Sequence, residues 1–382
     1  MNYLIVGSGI AGVSALKEIL NKSGDKDNIT LISKDSYPFY YRPRLIEYLS
    51  GEISISDIIV HDESWFESNN VDLRLNEEVT VLDSQRKVIK TDKAEYNYDQ
   101  LLLATGAHSF VPPIPGVEKK NIFTLRNAED AIDIYNQAEY SQAEKNSKAV
   151  VVGGGLLGLE SAYNLHKSGL EVTVIEVEDW LLPRQLDKKA GDTLQKMLEE
   201  KGLEFYVGKK TSEFVGDEKI EGVLLENDKL IKSDMALLST GIRSNIGIFE
   251  EVEGLEVDRA IVVDEQMETK IEDIYAAGDI AIVNGHFYGL WNPAKLQGIV
   301  AGKNMVGDNE KFERVAPDHR LKVIGIDVVS IGKLDELDNY DVEVVEKETA
   351  YKKVVKDEDG NKVGAIIVGE FSDTNQIINE IE

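Results

Sequence analysis

The sequence predicts an α/β chain of two doubly wound parallel units followed by a small C-terminal α+β unit, on three observations. A short apolar run, a glycine-rich turn, a helical pattern and a second apolar run stand in that order from Asn2 and again from about Ala149. From roughly Val315 the pattern changes to alternating, strand-like runs. At 382 residues and 42% hydrophobic, the chain also exceeds the roughly 250–300 residues at which a single core stops growing.

In the first copy the strand Asn2–Val6 runs into Gly7-Ser8-Gly9-Ile10-Ala11-Gly12, a helix through Leu16, Ile19 and Leu20, and a strand at Ile29–Ile32. Short runs at Val71–Leu75, Val79–Leu82 and Lys87–Lys90 read as antiparallel strands, and the unit closes on Leu101–Gly106. The proline-rich stretch Val111–Gly116 cannot continue a helix or a central strand and reads as a linker. The second copy has the strand Val150–Val152, then Gly153-Gly154-Gly155-Leu156-Leu157-Gly158, a helix through Leu165 and the strand Val172–Ile175. Antiparallel-looking runs at Leu203–Val207, Val223–Leu225 and Leu230–Lys232 follow, and the copy ends on Met235–Gly241. A helix is expected from about Pro293 to Met305, and Asp357–Gly360 as a hairpin tip. The expected division is 1–110 with 242–314, then 111–241, then 315–382.

A glycine turn between strand and helix has a physical use. The first glycine makes the tight turn, the second lets backbone approach a pyrophosphate, and the third packs helix on strand. The helix N-terminus meanwhile points its free N–H groups at the phosphates. Gly7, Gly9, Gly12 and Gly153, Gly155, Gly158 are therefore candidate nucleotide-binding residues in two Rossmann-like units. In the second unit Glu176 stands 23 residues beyond Gly153, where an acid takes ribose hydroxyls, and Glu178 and Asp179 add charge. A 2′-phosphate would be repelled there, whereas a free diol gains charged hydrogen bonds of about 1.5–3 kcal/mol, so NADH is expected over NADPH. The first unit departs from the pattern, with Ser33 in the equivalent place and Asp35 two residues on.

Composition narrows the chemistry. With no cysteine, the chain builds no disulfide, thiolate metal site or catalytic thiol, so redox chemistry needs a bound cofactor. Seventy acidic against 42 basic residues give a net charge of −28, which disfavours nucleic acid and anionic lipid as partners. The N-terminus lacks the marks of a secretory signal and no apolar run reaches the roughly 20 residues of a membrane span, so a soluble, cytoplasmic protein is expected. His108 and His286 lack partners at ligand spacing, and no metal is expected.

Taken together, the segments Gly7–Gly12, Pro38–Leu45, Leu101–Gly106, Val150–Glu160, Glu171–Glu176, Leu181–Asp187, Ser239–Asn245, Ile274–Asp279, Leu321–Gly332 and Gly364–Asp373 resemble, in order, the FAD-dependent NAD(P)H oxidoreductases with two dinucleotide domains. Within that superfamily of pyridine nucleotide-disulfide oxidoreductases the likeness is greatest to the NADH:rubredoxin oxidoreductases. The resemblance implies that Gly7, Gly9 and Gly12 hold the FAD pyrophosphate, with Ser33, Asp35 and Arg42 also at the FAD. It places Val79 at the adenine, Thr105 and Gly106 closing the site, and Asp279 at the ribityl and phosphate portion. Gly153, Gly155, Gly158 and Glu176 would hold NADH, with Gly241 near the nicotinamide, and Pro293–Gln297 would aim a helix N-terminus at the flavin. Relatives that reduce disulfides or peroxide carry a redox cysteine beside the flavin; here the region reads Tyr40-Tyr41-Arg42-Pro43-Arg44-Leu45, so electrons must leave FAD directly.

Many oxygenase reductases of this superfamily pair a lysine with the glutamate that corresponds to Glu160. Here Glu47 stands in the lysine's place, and two facing carboxylates would raise one pKa. Arg44 is expected to swing in as the replacement cation for Glu160 beside the flavin. The implied reaction is hydride transfer from NADH to FAD, then electron delivery to a small iron protein, rubredoxin above all. An acidic rubredoxin would need a basic docking patch, for which Arg42, Arg44, Lys295, Arg320 and Lys322 are candidates. An NADH oxidase using oxygen or a diffusible acceptor, and a redox-sensing flavoprotein acting through a partner, are the alternatives.

Overall fold

A computed structural model of the chain describes residues 1–24, 26–142, 147–315 and 320–381. The first sheet runs Ile274–Ala276, Gln100–Leu103, Asn2–Val6, Asn28–Ile32, Val71–Arg74, with every neighbouring pair parallel. Leu4, Ile5, Leu31, Ile32 and Leu101–Leu103 are fully buried, as apolar strands covered on both faces must be. The helix Ile10–Lys22 lies against Trp291–Met305 at a separation only glycine permits. A Cβ on Gly298 would stand 2.2 Å from the Ala11 carbonyl oxygen, and one on Gly302 2.5 Å from that of Ala15.

The second sheet repeats the plan, in the order Glu204–Val207, Glu171–Glu176, Lys148–Val152, Met235–Leu238, Ile122–Thr124, again all parallel. Two expectations are corrected here. The runs near Val71 and Leu203 are edge strands of the parallel sheets, because each follows a helix, Glu63–Ser68 or Lys188–Glu199, that carries the chain back across the sheet. The antiparallel pieces are Val79–Asp83 with Val88–Thr91 and Glu95–Asn97, and Thr211–Val215 with Gly222–Leu225 and Leu230–Lys232.

Between the two sheets, Ala107–Ser109 and Ile242–Ser244 pair antiparallel, Ser109 opposite Ile242. The C-terminal sheet is antiparallel, ordered Arg320–Val323, Ile326–Gly332, Lys362–Val368, Ala350–Lys356, Asp341–Lys347, with Asp357–Gly360 turning between two of its strands. Its alternation sorts two cores. Ala365 and Ile367 pack with Ile377 of the last helix, Thr374–Ile381, while Ile366 and Val368 join Leu194 and Leu198 of the second unit. Among the described residues no helix is long and apolar enough to cross a membrane.

Candidate functional site

The two glycine turns are superimposable in their chemistry. Gly7 has φ +117°, and a Cβ there would lie 2.1 Å from the Ala104 carbonyl oxygen; Gly12 would place one 2.0 Å from the oxygen of Gly7. In the second turn Gly153 has φ +120° with Ser239 oxygen at 2.3 Å, and Gly158 meets Gly153 oxygen at 2.0 Å. These four glycines are required by the chain's own packing. Gly9 and Gly155 differ, since a Cβ on either meets nothing within 4 Å. Both stand at the N-caps of helices, Ile10–Lys22 and Leu156–Lys167, that have no side-chain cap and no acid in the first turn, so their leading N–H groups are free for an anion.

The first turn opens into a cavity of about 1050 Å³. Gly7, Gly9, Ser33, Asp35, Arg42, Val79, Thr105, Gly106 and Asp279 all line it, whereas Gly12 lies behind the turn. Arg42 bonds Asp35 at 3.1 Å and donates to the Arg126 carbonyl at 2.6 Å; Arg126 in turn reaches Asp279 at 2.7 Å. Ser8 and Ser33 share a hydroxyl contact of 2.8 Å. Within this wall the Thr105 hydroxyl and Arg126 Nε are buried without a hydrogen-bond partner among the described residues. Buried donors are rarely left unpaired, so both mark places where a polar ligand belongs. The helix Trp291–Met305 begins two residues earlier than expected, and Leu290, Trp291 and Ala294 form the wall at its N-terminus. Gln297, fully buried, accepts the Gly278 N–H at 2.7 Å and fixes the turn that carries Asp279.

Around the second turn Glu176 is buried, one carboxylate oxygen accepting from Gly154 N–H at 2.6 Å and the other from Glu178 N–H at 2.8 Å. Gly241, φ +99°, follows the adjacent strand Met235–Leu238. Gly153, Gly155, Gly158 and Glu176 thus form one cluster outside the first cavity. The helix that starts at this cluster reaches the cavity through Leu157, which joins the second turn to the first site.

Arg44 does not meet Glu160. Its guanidinium holds Glu47 at 2.8 and 3.0 Å, because the two residues stand one short helical turn apart and a local pair forms without reordering the chain. Glu160 is half-buried, with no salt bridge among the described residues, and its carboxyl is pushed up to about 7, first by burial and then by the charge of Glu47. Arg42 is removed from the docking candidates too, since it is committed to Asp35 and the cavity wall. Arg320 is held by Asp327 and Asn375, while Lys295 and Lys322 are exposed. Sequence reasoning missed Arg126, Asn245 and Trp291. Asn245, whose side chain donates to the Thr105 carbonyl at 2.7 Å, sits inside a segment that was singled out, but nothing local marks Arg126.

Fold and glycine turns together define a protein with two Rossmann-like dinucleotide-binding units. Residues 1–298 match the pyridine nucleotide-disulphide oxidoreductase family and residues 317–382 the C-terminal domain of rubredoxin NAD+ reductases; the chain belongs to the pyridine nucleotide-disulphide oxidoreductase family. It is 37% identical to the nitrite reductase [NAD(P)H] of Bacillus subtilis over 99% of this chain but 47% of that protein, so it spans about half the length of that relative. It is 33% identical to the NADH-rubredoxin oxidoreductase of Clostridium acetobutylicum over 87% of this chain and 82% of that one. A NAD-dependent persulfide reductase from A. fulgidus superposes with a TM-score of 0.89 at 29% identity, covering 100% of this chain and 76% of that chain. The family's members contain FAD and depend on NADH. The open position at Gly9, the unpaired Thr105 and Arg126 atoms and the cavity's size fit the first site to FAD, and the Glu176 cluster fits the second to NADH.

Proposed function

We propose that this chain oxidises NADH and delivers the electrons singly to a small iron protein, rubredoxin first among them. The observation that carries the reading is the C-terminal match at residues 317–382 to the domain named for rubredoxin reductases. The lack of cysteine supports it, because a thiol relay, the other common exit in this family, has no residue to run on within this chain.

Bound FAD supplies the conversion of a two-electron hydride donor into one-electron outputs. The protein's own part is placement and charge. Uncapped helix N-termini at Gly9 and Gly155 meet pyrophosphates, and Glu176 takes the ribose diol of NADH. Arg126 and Asp279, paired in the cavity wall, offer one cation and one anion to the phosphate and ribityl groups respectively. Leu290 and Trp291 give the wall at the helix N-terminus an apolar lining.

Stopped-flow oxidation of the NADH-reduced holoprotein by rubredoxin, ferredoxin, a nitrite-reductase partner and oxygen tests the reading. Rubredoxin should be reduced fastest by about tenfold or more, a gap of about 1.4 kcal/mol in barrier. Oxygen consumption matching the rubredoxin rate would replace the proposal with an oxidase.

A further inference from the structure

The middle glycine of the second turn, Gly154, is held from two sides. Its N–H goes to Glu176, and its carbonyl accepts the N–H of Leu182 at 3.2 Å. Leu181 also packs directly beneath it, since a Cβ on Gly154 would stand 2.8 Å from Leu181 Cδ2. The segment 180–187 is thus the underside of the nucleotide turn. It is not a relaxed loop: Leu182 is buried with φ +51°, a conformation a leucine adopts only when its surroundings enforce it.

The backbone bonds of Leu182 itself stay within its own unit, to Gly154, Gln185 and Leu186, and the segment around it is braced from another unit. Ser330 of the C-terminal sheet donates to the Gln185 carbonyl at 2.6 Å, and Gln185 N–H in turn bonds the Leu182 carbonyl. Asp187 caps the helix Lys188–Glu199 with one carboxylate oxygen, at 3.0 Å from Ala190 N–H. Its other oxygen accepts from Tyr351 at 3.1 Å and from Lys353 at 3.4 Å, and the Lys353 side chain is only 13% exposed. Leu181, Leu182 and Leu186 share one core with Val328, Tyr351, Ile366 and Val368. An unbroken path of contacts therefore runs from the C-terminal sheet through the segment to Gly154.

We propose that the C-terminal sheet sets the affinity for NADH, with Ser330, Tyr351 and Lys353 as positioning residues that hold segment 180–187 against the second glycine turn. The proposal rests on NADH binding at that turn. When the grip is lost, Leu182 relaxes from its left-handed conformation, the carbonyl of Gly154 loses its donor, and the N–H groups facing the pyrophosphate are no longer aligned. The effect belongs to binding, because none of the three residues touches either nucleotide site.

The test uses the flavin-loaded full chain and two readouts, the Kd for NAD+ by calorimetry and the KM and kcat for NADH with a small artificial acceptor. A single net hydrogen bond is worth up to about tenfold in an equilibrium constant. A Ser330→Ala, Tyr351→Phe, Lys353→Met triple variant should raise Kd and KM about tenfold with kcat within about twofold. Lys353→Arg in place of Lys353→Met should recover only the share of the affinity that Lys353 carries. Lys356→Met, on the same strand but paired with the exposed Glu343, should leave Kd unchanged. If the triple variant does not hold flavin, Ser330→Ala alone is read, with the same direction expected. A Kd within about twofold of the parent, or a fall in kcat at constant KM, overturns the proposal. Gly155→Val separates the two layers of the argument: if it still binds NAD+ as the parent does, the placement of NADH is wrong. If it abolishes binding while the triple variant binds normally, only the role of the C-terminal sheet is wrong.

Discussion

Gly9 and Gly12 stand three residues apart and answer to different demands. A methyl on Gly12 collides with backbone 2.0 Å away, whereas one on Gly9, at φ −72°, meets empty space. Gly12→Ala should therefore fail to accumulate as folded protein. Gly9→Ala should fold with an apoprotein melting temperature like the parent's yet hold about tenfold less flavin, read from the ratio of flavin to protein absorbance. Glu160 gives a second expectation. Its folded carboxyl titrates near 7 against 4.5 ordinarily, so between those values the folded chain keeps a proton the unfolded chain has released. Stability from this group falls as pH rises across that window, and the whole penalty is present above 7. Glu160→Gln should match the parent near pH 4 and exceed it at pH 8 by on the order of 2 kcal/mol in thermal or denaturant melts. The glycine turns and Glu176 could be read from sequence because their spacing is local. Arg126 could not, since its partner Asp279 lies 153 residues away, and the partner assigned to Arg44 failed because Glu47 was nearer than Glu160.

At the scale of elements, the strand–turn–helix–strand units were legible because strand and helix periods differ and glycine punctuates them. The residues Val71–Arg74 alternate apolar with charged, which suits a hairpin as well as a parallel edge; only the helix Glu63–Ser68 before them decides. The contact between Ile10–Lys22 and Trp291–Met305 was not legible at all, because two glycines in one helix say nothing about which helix they face. Gly298 sits on Ala11, inside the first turn, so widening this contact reaches the flavin site. Gly298→Val should destabilise the chain by about 3 kcal/mol or more and lower flavin content with it, in contrast to Gly9→Ala, where the two part company. Thermal melts of apo and flavin-loaded forms distinguish the two patterns.

For the molecule as a whole the charge is −28, and the exposed cations of the cavity wall that make no salt bridge among the described residues are Arg243 and Arg259. Arg42, Arg44 and Arg320 are engaged by Asp35, Glu47 and Asp327, and Lys295 and Lys322 remain as exposed docking candidates. Reduction of an acidic carrier should accordingly speed up as added salt shortens the screening length from about 30 Å at 0.01 M to about 10 Å at 0.1 M. A rate that falls over that range would reveal a basic patch strong enough to steer the encounter. The pairing of Ser109 with Ile242 has a different kind of consequence. All of residues 110–241 leave and re-enter the molecule at one spot, as an inserted sequence does when a gene is interrupted in frame. A two-residue turn across that pair would splice the remainder into a continuous chain, and the spliced protein would surrender more than its second nucleotide, because Arg126, a wall of the first cavity, travels with the insert.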